Sequence, residues 1–190
     1  PESYMSLRKI TEEGRMLTAS TIYESGSTQL AQAVNSFTEP KWHILRLPSG
    51  PKSKGKQAAI LAKLGELASE HDWADAVHHH GATRVGDSIL SDAPEKHTFI
   101  LIKGLLRAAK TLDDTHIGVV YEPHGESKSD SSEAQGLPGR LCGHGKQSGS
   151  GAPILFCNTE SMTNYCDLME SEFNYTLGDL VFKSATVKKR

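Results

Sequence analysis

The stretch HTFILIKGLLRAAKTLDDTHIGVVY, residues 97–121, decides the fold class. Thr98–Ile102 is an unbroken apolar run rich in β-branched and aromatic residues, and His116–Tyr121 is a second. A strand with one wet face alternates apolar and polar residues. An unbroken run is what a strand covered on both faces needs, as in a parallel sheet. Between the two runs, Leu105–Leu112 reads as a helical turn. Strand, helix and strand in this order predict a βαβ unit.

The same alternation extends in both directions. Lys41–Leu47 (KWHILRL) reads as a strand, stopped by Pro48-Ser49-Gly50-Pro51. Gly55–Glu70 carries apolar residues at Ala58, Ile60, Leu61, Leu64, Leu67 and Ala68, a helical stripe. Asp75–His80 is a further strand, and Asp87–Ala93 a short helix. Pro123–Ser132 is a polar loop, and Glu133–Leu141 is helical despite Pro138. Pro153–Cys157 (PILFC) is the next strand, and Thr159–Glu170 the closing helix. The expected fold is α/β: a parallel sheet of about five or six strands with helices on both faces. It occupies residues 41–172. Residues 1–40 form an N-terminal extension packed beside it, with a strand at Arg15–Ile22 and a helix at Ser27–Phe37. Residues 173–190, ending Lys188-Lys189-Arg190, read as a hairpin or linker.

Composition narrows the class. The chain has 190 residues, enough for one well-buried core. Its net charge of −2 argues against attraction of the whole surface to nucleic acid, but leaves room for a local basic patch. Cys142, Cys157 and Cys166 are odd in number and lack CxxC spacing, so a reducing, intracellular setting is expected, without secretion. No apolar run approaches the roughly 18 residues of a membrane span. Pro1 in place of Met is expected of a piece of something larger.

One local patch is basic. From Lys41 to Leu64 stand Lys41, Arg46, Lys52, Lys54, Lys56 and Lys63, with no Asp or Glu. Lys52, Lys54 and Lys56 therefore suit contact with a nucleic-acid backbone, or simply form a solvated face. Within the patch, Gly50–Lys56 fits GxxxxGK between a strand and a helix, the setting of a phosphate-cradling loop. Gln57 occupies the place of the metal-binding hydroxyl, and no later strand ends in the acidic pair such a loop requires. These two departures favour a Gly/Lys-rich surface loop over a phosphate-cradling one.

The segment AQGLPGRLCGHG, residues 134–145, resembles motif VI of superfamily 2 helicases, in which a Gln and then Gly-Arg face a nucleotide. Gly143 stands where a second arginine is often found. The segments before it fall in the matching order. KWHILRLP resembles the motif IV strand, DAVHHHG the strand that follows, residues 97–114 motif V, and HIGVVYEP the next strand. The order is similar over residues 41–172, and especially to the helicase-like proteins of large DNA viruses and phages. The resemblance implies a RecA-like fold and the second motor domain of an ATP-dependent helicase or translocase. ATP and Mg²⁺ would be held mainly by an N-terminal RecA-like partner domain. Arg140 would reach across to the γ-phosphate as the catalytic cation, where a planar, always-charged, bidentate group is required. Gln135, Gly139, Thr111 and Asp113 would line the nucleotide side. Lys103, Arg107 and Lys110 would join Lys52, Lys54 and Lys56 along a DNA or RNA track.

Other chemistry is less well supported. His78 and His80 share a face of one strand and would need His97 or Asp87 to complete a zinc site. No metal site is expected, and there is no GxSxG nucleophile elbow. Cys157, at the end of an apolar strand, reads as a buried, inert thiol. A binding module without enzymatic activity shares every feature above except the need for Arg140.

Overall fold

The computed structural model describes residues 4–50, 52–80, 89–103, 112–123 and 133–172, and for 78–80 the backbone alone. Six strands make one sheet: β2 (Met16–Thr18), β3 (Trp42–Arg46), β4 (Val77–His80), β5 (Thr98–Lys103), β6 (Ile117–Tyr121) and β8 (Ile154–Cys157). Their order is β2-β8-β6-β3-β5-β4. Each adjacent pair is parallel. A separate two-residue ribbon pairs β1 (Tyr4–Met5) with β7 (Gly143–His144), antiparallel.

Helices cover both faces. The flanking elements are α1 (Leu7–Glu12), α2 (Ser27–Asn35), α3 (Ser53–His71) and α4 (Thr159–Glu170). One face packs Leu45, Phe99, Leu101, Val119, Tyr121 and Phe156 against Leu30 and Val34 of α2 and Ile60, Leu64 and Leu67 of α3. The other packs Ile44, Ile100, Ile102, Val120, Leu155 and Cys157 against Leu7 and Ile10 of α1 and Met162 of α4. The unbroken apolar runs therefore reflect strands buried on both sides. This is an α/β architecture of the RecA-like kind. Each fully buried Leu or Ile contributes roughly 1.5–3 kcal/mol.

The N-terminal segment, expected beside the sheet, supplies its edge. Leu155 donates its N–H to Arg15 O at 2.8 Å, and Ala19 donates to Cys157 O at 2.8 Å, which extends β8 with β2. Isolated propensity shows a strand there but not its partner. The closing helix is capped by Asn158, the residue before Thr159. Asn158 Oδ1 accepts from Ser161 N, and Asn158 Nδ2 donates to Ser161 Oγ. Residues 105–111 of the expected helical turn and the C-terminal hairpin or linker lie outside the described residues. Pro138–Leu141 forms a 3₁₀ turn, as a proline inside a short helical pattern favours.

The β3–β6 pairing contains a bulge. Trp42 pairs with Ile117 and Ile44 with Val120, so Gly118 and Val119 together oppose His43. The fully buried His43 ring fills the gap. Its Nδ1 accepts from Val119 N at 2.9 Å, which requires the Nε2–H tautomer. Nε2 then donates to His97 Nδ1 at 3.1 Å. Glycine is required at 118, where a Cβ would lie 2.7 Å from His43 Cε1. Burial first, then the charges of His97 and Lys41, holds His43 well below the ordinary histidine range.

This arrangement makes stability depend on pH. The unfolded chain takes up a proton near pH 6.5 that folded His43 refuses. The stabilisation is present above that pH and is lost as pH falls toward the folded value, by about 1.4 kcal/mol per unit for this one group. Urea denaturation between about pH 7.5 and 5 should show the loss. The slope should be shallower in His43→Gln, and an unchanged slope in that variant would refute the assignment.

Candidate functional site

Parallel strands all end on one side, and open α/β sheets bind ligands outside those carboxyl ends. The last residue of β3, Arg46, and the residue after β6, Glu122, sit at that edge. Both fall two positions beyond core residues of the second face, Ile44 and Val120, so strand alternation points them to that face. Arg46 Nε donates to Glu122 Oε2 at 2.6 Å, with the side chains 12% and 4% exposed. The pair is almost fully withdrawn from water.

Arg140 arrives from the 3₁₀ turn, whose Leu137 and Leu141 pack into the same face. Its backbone N–H donates to Leu137 O, and its Nε donates to Gly136 O at 3.3 Å. The residue is 4% exposed. Burial, followed by the charge of Arg46, lowers its ordinary affinity for the proton. It remains a cation at any working pH. Glu133 starts the same segment and is buried too. Burial, and then Glu133 and Glu122, pushes the Cys157 thiol up to about 12. That thiol is unreactive, as its position at the end of an apolar strand suggests. One corner therefore gathers two guanidinium groups and two carboxylates around the ends of β3, β6 and β8.

Other expected site residues fall in different places. Gly139 is in the turn, and a Cβ there would meet Ala134 O at 2.7 Å, so glycine is needed for packing. Gln135 is on the surface of the same segment. Lys103 ends β5 at the same sheet edge and is exposed. Lys52, Lys54 and Lys56 are exposed around the start of α3, which follows β3. Asp113 lies before β6, at the opposite end of that strand from Glu122. Its Oδ1 accepts from Thr115 Oγ1 at 2.7 Å and Thr115 N at 3.0 Å, and these bonds lower its carboxyl below the usual range. The structure does not bring Asp113 to Arg140. Thr111, Arg107 and Lys110 lie outside the described residues.

The GxxxxGK segment is closed by its own side chains. Gln57 Nε2 donates to Pro48 O at 2.7 Å and to Ser53 Oγ at 3.0 Å, while Ser53 Oγ donates to Gly50 O at 2.7 Å. The residue standing for a metal-binding hydroxyl thus spends its amide on Pro48 and on Ser53, which is in the first turn of α3. His97, one of the two further ligands a zinc site on β4 would draw on, is engaged by His43, and the other, Asp87, lies outside the described residues. Among the described residues no three His, Cys, Asp or Glu gather as a metal site. No described helix is long and apolar enough to cross a membrane.

Sequence reasoning misses Arg46, Glu122 and Glu133 as members of this corner. Arg46 is visible there only as one charge in a basic stretch. The available signal is its period-two offset from Ile44 at a strand end, shared by Glu122 and Val120.

No protein-family model, curated protein or solved structure matches this chain.

The buried pair gives a test of the corner. Glu122→Leu strips the carboxylate from a desolvated guanidinium and should cost about 3–5 kcal/mol. Adding Arg46→Met should restore most of that loss, because an apolar pair of similar volume needs no desolvation. Thermal and urea unfolding of the single and double variants would measure it, and equal losses in both would contradict the pairing.

Proposed function

We propose that this chain is the second motor domain of an ATP-dependent nucleic-acid helicase or translocase. The observation that carries the reading is the position of Arg140. The motif that resembles the nucleotide-facing segment of such motors packs at the carboxyl edge of a parallel sheet, beside Arg46 and Glu122. The strand series around it has the order the resemblance implies.

On this reading a partner RecA-like domain holds ATP and Mg²⁺, since Gln57 stands where a P-loop carries its metal-binding hydroxyl and its amide is engaged by Pro48 O and Ser53 Oγ. Bound ATP supplies the phosphoanhydride whose cleavage drives the motor. The residues of this chain act on its outer side. Arg140 meets charge building on the γ-phosphate, where a guanidinium in a water-poor site is worth most. Exposed Lys52, Lys54, Lys56 and Lys103 share the sheet edge and offer a track for DNA or RNA phosphates. Opening and closing against the partner would step the strand.

A second reading has one observation in its favour. Arg140 is buried, in a corner that also contains two glutamates, as a purely structural cation would be. In that case the chain is a binding module for nucleic acid or protein, without enzymatic activity.

Two measurements separate the readings. The isolated chain should hydrolyse almost no ATP, and robust Mg²⁺-dependent turnover by it alone would end the half-motor reading. In the two-domain protein, Arg140→Ala should lower ATPase kcat by about 10³-fold or more, while single-stranded DNA or RNA binding stays nearly intact. Unchanged turnover would favour the binding module.

A further inference from the structure

We propose that His97 and His43 form a proton-operated latch on the β6 bulge: a proton taken up at His97 removes the acceptor that holds the His43 ring and loosens the anchor of Val119. Such a latch would act whatever task the charged corner serves.

The latch is a chain of hydrogen bonds that runs from the amino ends of β3 and β5 into the sheet. Val119 N–H donates to His43 Nδ1, and His43 Nε2 donates to His97 Nδ1. The backbone N–H of Lys41 donates to the same His97 nitrogen at 3.3 Å. A backbone N–H cannot accept, so both ends of the chain are pinned and each ring carries its hydrogen on Nε2. A proton on His97 Nδ1 would set N–H against N–H at both of its contacts. Passing the conflict inward does not remove it. If His43 took the other tautomer so that its Nε2 could accept, its Nδ1 would carry a hydrogen against the N–H of Val119. The chain has no place for a second proton while all three bonds stand.

The two rings differ in access. His43 is fully buried, whereas His97, just before β5, is half-buried. A proton from solvent therefore arrives at His97. The charged ring is hydrated only by turning away from His43, which leaves a buried Nε2–H without a partner and the bulge without its support. The surrounding groups set the pH at which this happens. Lys41 brings a positive charge toward His43, and its ammonium donates to Thr115 O. Phe37 lays its ring near that of His43 and offers its carbonyl to His97. Lys96, the neighbour of His97 in the chain, is paired with Asp72. Burial lowers His97 below the ordinary histidine range, and the Phe37 carbonyl opposes this only in part. The latch is thus closed at neutral pH and opens as pH falls through a value below about 6.5.

Ring and amide ¹⁵N NMR of the full chain tests the latch. At about pH 7.5 both rings should be neutral with the hydrogen on Nε2. As pH is lowered toward about 5, His97 should become charged, and the hydrogen-exchange protection of Val119 N–H should fall relative to that of Leu155 N–H, which is bonded to Arg15 O. The ratio should drop about tenfold per pH unit, the slope of an opening that takes up one proton. A loss shared equally by Leu155 is global unfolding and leaves the ratio flat. His97→Asn keeps an acceptor oxygen near the place of Nδ1 but takes up no proton, and its ratio should stay flat. A His97 that stays neutral down to about pH 5, or a flat ratio in the parent while His97 becomes charged, overturns the latch. An equal fall of the ratio in His97→Asn does so too. The parent measurement decides the matter even where the variant does not fold.

Discussion

The double pairing of β3 is the constraint on which the rest of the molecule depends. A strand flanked on both edges and covered on both faces must satisfy every backbone group within the sheet and every side chain by packing. Trp42–Arg46 meets this with three apolar residues, but it also carries His43 near its start and Arg46 at its end. Both polar residues have tasks. His43 takes the backbone N–H that the bulge in β6 releases from the ladder, and Arg46 reaches the edge where water and ligands begin. The strand is therefore a core element at one end and a site element at the other.

The charged corner follows a different energetic logic from the core. Apolar contacts are interchangeable within limits of volume, whereas a desolvated ion pair is tolerated only while both members are present. Such pairs seldom add net stability over an apolar replacement. Arg46, Glu122, Glu133 and Arg140 are thus poorly explained as a device for holding the sheet together, which the two apolar layers already do. On the motor reading they serve a task that needs fixed cations at a strand edge.

Most of the fold is legible in the sequence, because parallel strands and amphipathic helices leave local periodicity. Thr98–Ile102, Ile154–Cys157 and Thr159–Glu170 are visible as runs or stripes without knowledge of their neighbours. The pairing of Met16–Thr18 with β8 is not, since a short edge strand has no pattern that names its partner. The bulge is equally hidden: Gly118 inside IGVVY reads as an ordinary strand glycine until His43 is seen across from it. The site is half legible. Arg140 stands out through its glycine-rich setting, whereas Arg46 and Glu122 are 76 residues apart and meet only through strand order. The motif resemblance puts Asp113 at the nucleotide, but its carboxylate closes a local turn with Thr115, a use that short polar side chains before a strand often have.

The burial of Arg140 bears on how a motor of this kind would be coupled. A buried cation meets a phosphate only when its surroundings change, and on the motor reading a nucleotide would drive such a change only by binding the opened arrangement more tightly than the closed one. Each tenfold preference supplies about 1.4 kcal/mol. Arg140 Nε meanwhile donates to Gly136 O, a neutral acceptor, and a phosphate would put a charge-assisted contact in its place. Balanced charges in the corner leave no lone buried charge, and on the motor reading they would keep the difference between closed and engaged arrangements small enough for a nucleotide to control.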